Sequence, residues 1–421
     1  IQASRAGQVL SIRNSTIKGP MLSLIAEAIL VPEAGQFKFD GQITDASKLL
    51  PGAPAEPLSL TAEGQQDGRD WNVRADAAGA GLTLSADIAA LDLLGVDPEI
   101  DGRITASASD LAPLSTLANR QLKGALTLQA QGSARVDLSR FDVALSANGQ
   151  NVGLGQTQID QLIAGRSELA LDINRSESSL TVRTFDLTTN ILTASATGDQ
   201  TGDDRTIEFN ARLADAAPYA PGFSGPATAS GTITQSGTGP YDLDIAIQGP
   251  GGANASVTGD LAPSFDSASL DANGRLPLGV VNAFIAPRAV SGDAGFRLAL
   301  NGPLSLASVS GQLTTSGARF IAPALNIAVN GISATADLSG GQAQLALTGN
   351  VENGGQLGLR GPVTLTAPYS ADLSTTLNGV VLRDPRLFET TVNGALAISG
   401  PLTGGASISG RLTLPETNIR I

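Results

Sequence analysis

The chain holds few residues that could do chemistry. Asp242 and Asp244 stand two apart in YDLDIAIQ. That spacing puts both carboxylates on one face of a strand, where a pair could serve acid–base catalysis. The face points away from Leu243 and Ile245, so the pair reads as solvated surface. Gly198–Asp204 (GDQTGDD) could offer oxygens to Ca²⁺. Asp and Gly in such a cluster more often make the turn between two strands. Gly249–Gly252 (GPGG) is not a phosphate loop, because no Lys-Ser/Thr follows and no helix starts there. The Asn254-Ala-Ser256 sequon reads as a chance match. His and Cys are both absent, which removes the commonest general base and any disulfide or thiolate site. The expectation is a protein that is not an enzyme, with no catalytic residues, no metal and no cofactor.

What the chain has instead is aliphatic residues in regular order. Hydrophobic residues make up 42% and aromatics only 4%, so Ala, Leu, Val and Ile carry the apolar surface. Charged residues are 15%, against roughly 25% in ordinary soluble domains, which leaves Ser, Thr, Asn and Gln to cover the wet side. The net charge of −13, with no basic stripe, excludes a nucleic-acid partner. The longest apolar run, Met21–Val31, is broken by Glu27 and stopped by Pro32. It is too short to cross a bilayer as a helix, which takes about 20 residues. The opening IQASRAGQVL has neither an initiator Met nor an apolar leader. The chain is expected to be an internal segment of a longer protein.

Alternation with period two recurs along the whole length, which predicts strand after strand, roughly thirty-five in all at one per 8–12 residues. Phe37 and Phe39 share a face, as do Leu82 and Leu84, Leu169 and Leu171, and Ile207 and Phe209. Leu243 and Ile245 repeat the pattern, then Phe296, Leu298 and Leu300, then Ile327, then Leu345 and Leu347, and last Leu412 and Leu414. Asp110–Asn119, Leu276–Pro287 and Arg383–Glu389 break it and are expected to form short capping helices or turns, with Asp45–Leu50 a weaker case. A cassette also repeats. Gly292 onward reads GDAGFRLALNGPLSLASVSGQL, and Val392 onward reads VNGALAISGPLTGGASISGRL. Gly302-Pro303-Leu304 matches Gly400-Pro401-Leu402, and Gly311 matches Gly410. The predicted fold class is all-β: an elongated, twisted, curled sheet, a β-groove or taco-like solenoid, with a few short capping helices. It is expected to be one continuous repetitive region over 1–421, with weak unit boundaries near 51–57, 110–124, 214–225, 276–292 and 381–394.

An aliphatic sheet face must be covered. The inward residues here are modest in size and few are aromatic, which is weak filling for a sandwich core. A partly open trough would suit a lipid acyl chain. At roughly 0.8 kcal/mol per methylene, a chain of about sixteen carbons gains about 13 kcal/mol by leaving water.

The cassette, with its Gly-x-Leu-x-Leu-x-Gly-Pro-Leu core and closing Asn418-Ile-Arg-Ile421, resembles the repetitive region of the TamB family of translocation and assembly module subunits. These are similar to the wider AsmA-like proteins of the repeating β-groove lipid-transfer superfamily. The resemblance implies a Gram-negative bacterial protein anchored in the inner membrane and reaching through the periplasm. It implies phospholipids and an outer-membrane assembly barrel, TamA, as partners. It also implies phospholipid transport in support of outer-membrane biogenesis, with the eighteen residues just named on the lipid-facing side. One alternative is a scaffold for assembly or secretion of autotransporters and other outer-membrane β-barrels, acting by strand addition. A second is an extracellular β-solenoid adhesin or a polysaccharide-active enzyme; one Trp and three Tyr speak against the enzyme, which needs exposed aromatics for sugar stacking.

Overall fold

The computed structural model describes residues 3–19, 22–48, 55–79, 81–93, 95–384, 387–415 and 417–419. The protein is nearly all β and antiparallel, with very few short helices. Its described residues form 28 strands. This is fewer than the roughly thirty-five expected, because many strands run longer than the 8–12-residue period allows. Lys123–Arg135 and Phe141–Gly153 have 13 residues each, and Ser370–Asp384 has 15. The 51–57 stretch lies largely outside the described residues.

The chain divides into two compact units, Ile1–Ala211 and Arg212–Ile421. The boundary falls just ahead of the 214–225 stretch. Within each unit nearly every long strand pairs with the strand next in sequence, so short connections suffice. An up-and-down order puts successive connections at alternate ends of the strands. In the first unit Ala46–Lys48, Ala112–Leu114 and Thr157–Leu162 lie in connections at one end of its strands, and in the second unit Pro250–Gly252, Leu278–Ile285 and Pro323–Leu325 lie in connections at one end of its strands. The opposite end of each unit, joined mostly by turns of five residues or fewer, is its tight-turn end.

The predicted capping segments behave differently from one another. In 110–119 only Ala112–Leu114 is helical, and Asp110 Oδ1 accepts from the Ala112 amide. In 276–287, Leu278–Val281 is 3₁₀ and Asn282–Ile285 is α. Both segments close on a glycine at the start of the next strand. The Leu111 amide donates to the Gly124 carbonyl, and that of Leu278 donates to Gly292, each at 2.8 Å. The described part of 383–389 is not helical: Ser370–Asp384 runs into it and Phe388–Pro401 leaves it. Helix Thr157–Leu162 was not expected; its one clear signal is Asp160, whose carboxylate accepts from the Leu154 amide.

The cassette repeats in backbone conformation as well as in sequence. Gly311 (φ 124°) and Gly410 (φ 152°) both face a neighbouring strand so closely that a Cβ would strike its backbone. Only glycine fits at such a crossing.

The best-buried cluster lies in the second unit. Ala318 (1% exposed), Val329, Ile332, Val351 and Val380 pack together, with Leu278 of the short helix against them. Two paired strands are bulged there, between Thr315 and Ala318 and between Asn330 and Ser333, and a third strand, Ser370–Asp384, is bulged between Leu377 and Val380. Gly317, Gly331 and Gly379 supply the positive φ (75°, 58° and 60°). Bulges bend the strands they interrupt, and the aliphatic side chains beside these bulges bury one another.

Candidate functional site

The strand register gathers the predicted residues into faces. Directly paired residues of antiparallel strands lie on the same side of a sheet. In the first unit one row of direct partners runs Ile17, Leu24, Gly41, Leu60, Ala77, Leu84, Ala106, Leu128, Ala147, Leu169, Leu187, Ala194. Every member is apolar or glycine. From Leu24 to Leu169 a leucine always faces an alanine or glycine. Alternating large and small residues lets leucines on every second strand lean over the gaps between them. Phe37, Phe39, Leu82 and Leu171 sit on parallel rows of the same face. Phe37 covers Gly64, where a Cβ would run into its ring, and its centroid lies 5.6 Å from that of Trp71. Ile207 and Phe209 lie on Asp204–Leu213, with Ile207 against Gly198.

The second unit repeats the plan. Its row runs Gly231, Ile245, Val257, Ala272, Leu298, Gly311, Leu338, Ala343, Val363, Ala371, Gly400. Leu243 and Leu300 stand on one side of this row, and Phe296 and Leu345 on the other. Leu347 belongs to the next row, and Leu412 faces Gly394. Ile327 faces Ala322 and joins the buried cluster. Leu414 departs from expectation. The strand ends at Thr413, and Leu414 is an exposed loop residue with no register partner among the described residues.

Most of these residues are neither core nor surface. Leu243 is buried, Leu84, Ile207, Leu412 and Leu414 are exposed, and the rest are half-buried. Two apolar depressions mark the face of the second unit. One, of about 260 Å³, is lined by Phe223, Ile247, Leu276 and Phe296. The other, of about 170 Å³, is lined by Leu313, Ala336, Leu345 and Leu359.

The opposite face is polar, and its order was missed in the sequence. In the first unit Glu27, Lys38, Glu63, Arg74, Asp87 and Arg103 are successive direct partners. The signs alternate strictly. Glu27, Lys38, Glu63, Arg74 and Asp87 line a depression of about 700 Å³. Arg74 reaches Asp87 at 3.1 Å. Farther along, Arg183 is the extra residue of a bulge and clamps Asp142 and Asp172 on two preceding strands. The Arg183 guanidinium, with help from the Asn174 amide, holds the Asp142 carboxyl below the usual carboxylate range. One signal could have revealed this bulge: Val182 and Phe185 stand three apart where period two demands an even spacing.

The acidic positions weighed as chemistry remain surface. Asp242 and Asp244 are exposed. Asp242 lies directly opposite Asp260, a like-charged pairing that costs rather than gains stability. Gly198–Asp204 contains the turn between two strands. The described residues hold no group of three or more acidic side chains placed to bind a metal. No described helix is long and apolar enough to cross a membrane.

No family model matches the chain, and neither a curated protein nor a solved structure matches it.

Proposed function

We propose that the apolar face shields and conducts phospholipid acyl chains between membranes, in support of outer-membrane biogenesis. The observation that carries this reading is the unbroken row of aliphatic residues and glycines through each unit. No charged or hydrogen-bonding side chain stands in either row, and the ladder of alternating charge lies on the other face. A surface of this kind costs free energy in water unless something apolar lies on it. An alkyl chain gains by transfer, needs no directional contact, and can slide along a face that offers none. Under this reading the protein works in the periplasm, its full-length form is held in the inner membrane, and an outer-membrane assembly barrel receives it. No chemistry is asked of any side chain.

Native mass spectrometry with lipid extraction tests the reading, on protein purified from bacteria beside a Leu298→Asp, Leu300→Asp, Leu345→Asp variant. These three leucines stand on one face within the second unit. Phospholipid that co-purifies with the parent and is lost from a variant still folded by circular dichroism supports a conduit. A folded, lipid-free parent sinks it.

A second reading, a scaffold for β-barrel assembly, is favoured by strand Ser407–Thr413. Its residues are exposed throughout, and among the described residues its one strand partner is Phe388–Pro401. Such an edge can accept an incoming strand.

A further inference from the structure

At the tight-turn end of the second unit four turns carry exposed apolar side chains. Its turns at 262–266, 304–308, 340–341, 365–369 and 402–406 are tied to one another in that order. The Leu304 amide donates to Asp266 at 3.3 Å, that of Leu365 to Gly341 at 2.9 Å, and that of Leu402 to Tyr369 at 3.2 Å. The gap between the second and third turns is closed by Ala307, whose Cα a Cβ on Gly341 would meet at 3.7 Å. Phe265, Leu304, Leu306, Tyr369 and Leu402 project from this row and are 45–59% exposed. In a chain of net charge −13, the five turns hold a single charged residue, Asp266. Leu304 and Leu402 are the last residues of the two Gly-Pro-Leu steps, so the repeated motif itself sets a leucine on this rim.

We propose that this rim seats on a lipid bilayer surface. Leucines, one Phe and one amphipathic Tyr, set among Ser, Thr, Gly and Pro, match the apolar–polar boundary of a bilayer. Entry there strands few backbone groups, because turn amides are already bonded: Phe265 to Ala262 at 2.9 Å, Ser308 to Ser305 at 3.1 Å and Tyr369 to Thr366 at 2.8 Å. The absence of Lys and Arg from the row points to binding by insertion, not by attraction to anionic headgroups. The inference is independent of whether acyl chains occupy the sheet face.

The chain has no cysteine, so single labels can be placed freely. Ala307→Cys, and Ser178→Cys on a tight turn of the first unit, are each labelled with an environment-sensitive dye. Each is then sedimented with phosphatidylcholine vesicles. Binding is expected, with a blue shift at position 307 and none at 178. A Leu304→Ser, Leu306→Ser, Leu402→Ser variant should lose at least about tenfold in the ratio of bound to free protein. If that variant fails to fold by circular dichroism, Phe265→Ser with Tyr369→Ser replaces it. No sedimentation of the parent, equal binding by the variant, or an equal shift at 178 overturns the proposal. So does self-association that the variant abolishes without any vesicle binding, which would make the rim a contact between copies.

Discussion

The two units follow one plan and are held together differently. The first has nearly twice the charged residues of the second. Its polar face is an ordered ladder of alternating sign, and its buried hydrophobics are scattered, mostly alanines such as Ala86, Ala90 and Ala108. The second has mostly Ser, Thr, Asn and Gln on that face, and bulged strands that bend to bury a nucleus around Ala318 and Val329. The rims differ in the same sense. Tight turns of the first unit carry Glu33, Arg69, Asp92, Asp97, Asp137, Arg140 and Glu177. Among the described residues even its most exposed apolar tips, Val96 and Leu138, adjoin Asp97 and Asp137, which both pair with Arg135. The lesson is about register. A sheet whose apolar residues are interchangeable must fix strand alignment by other means, because a slip costs little where neighbours look alike. The first unit does it with charge and the second with shape.

Breaking the nucleus should have the largest effect. Ile332→Ala leaves a cavity among Val329, Val351 and Val380, and should cost about 2–4 kcal/mol in the urea-unfolding transition of the second unit. Ile104→Ala in the first unit, at a position already exposed, should cost less than about 1 kcal/mol. Equal losses would erase the contrast. Next comes backbone shape. Gly355 (φ 88°) sits against the Gly379 backbone, and Gly355→Ala should cost about 1–3 kcal/mol by the same measurement. Gly202 (φ 60°) of the first unit faces open space, so Gly202→Ala should cost only about 1 kcal/mol, from strain alone.

The charge ladder should respond to salt. Arg74→Glu puts three carboxylates in line with Glu63 and Asp87. The thermal midpoint of the first unit should fall at low ionic strength and recover in 1 M salt, where screening reaches about 3 Å. A midpoint indifferent to salt would show that the ladder sets nothing. The smallest expected effect is in acid. The folded-state pKa of Asp142 lies below its unfolded value. Its pairing with Arg183 therefore contributes in full above the unfolded carboxylate range, near pH 4, and is lost as pH falls through the folded value. Arg183→Leu should flatten that part of the stability–pH curve, and an unchanged curve would remove the clamp from the account.

Much of this was legible in the order of residues. Period two placed Leu82 with Leu84 and Leu298 with Leu300, because side-chain direction alternates locally. The equivalence of the two Gly-Pro-Leu steps survived into the fold, since both glycines sit at positive φ, 114° at Gly302 and 109° at Gly400. What stayed hidden depends on which residues face one another. Leu84 finds Ala106, and Lys38 finds Glu63, across distances that one strand's pattern does not encode. Asp384 and Phe388 extend where a turn of helix was expected, because long partner strands override a short local signal. Leu414 was over-read for the opposite reason: alternation continued past the point where pairing stopped.

The alternation of connections between the two ends has a consequence for how such a chain can grow. Inserting one strand would transfer every later helical connection to the tight-turn end and every later tight turn to the helical end. The exposed leucine rim would then move to the opposite border. Inserting a hairpin leaves both borders as they were and lengthens the apolar face by two strand spacings of about 4.8 Å each. Length is therefore adjustable only in even steps, and duplication of a whole cassette satisfies that rule when it carries an even number of strands.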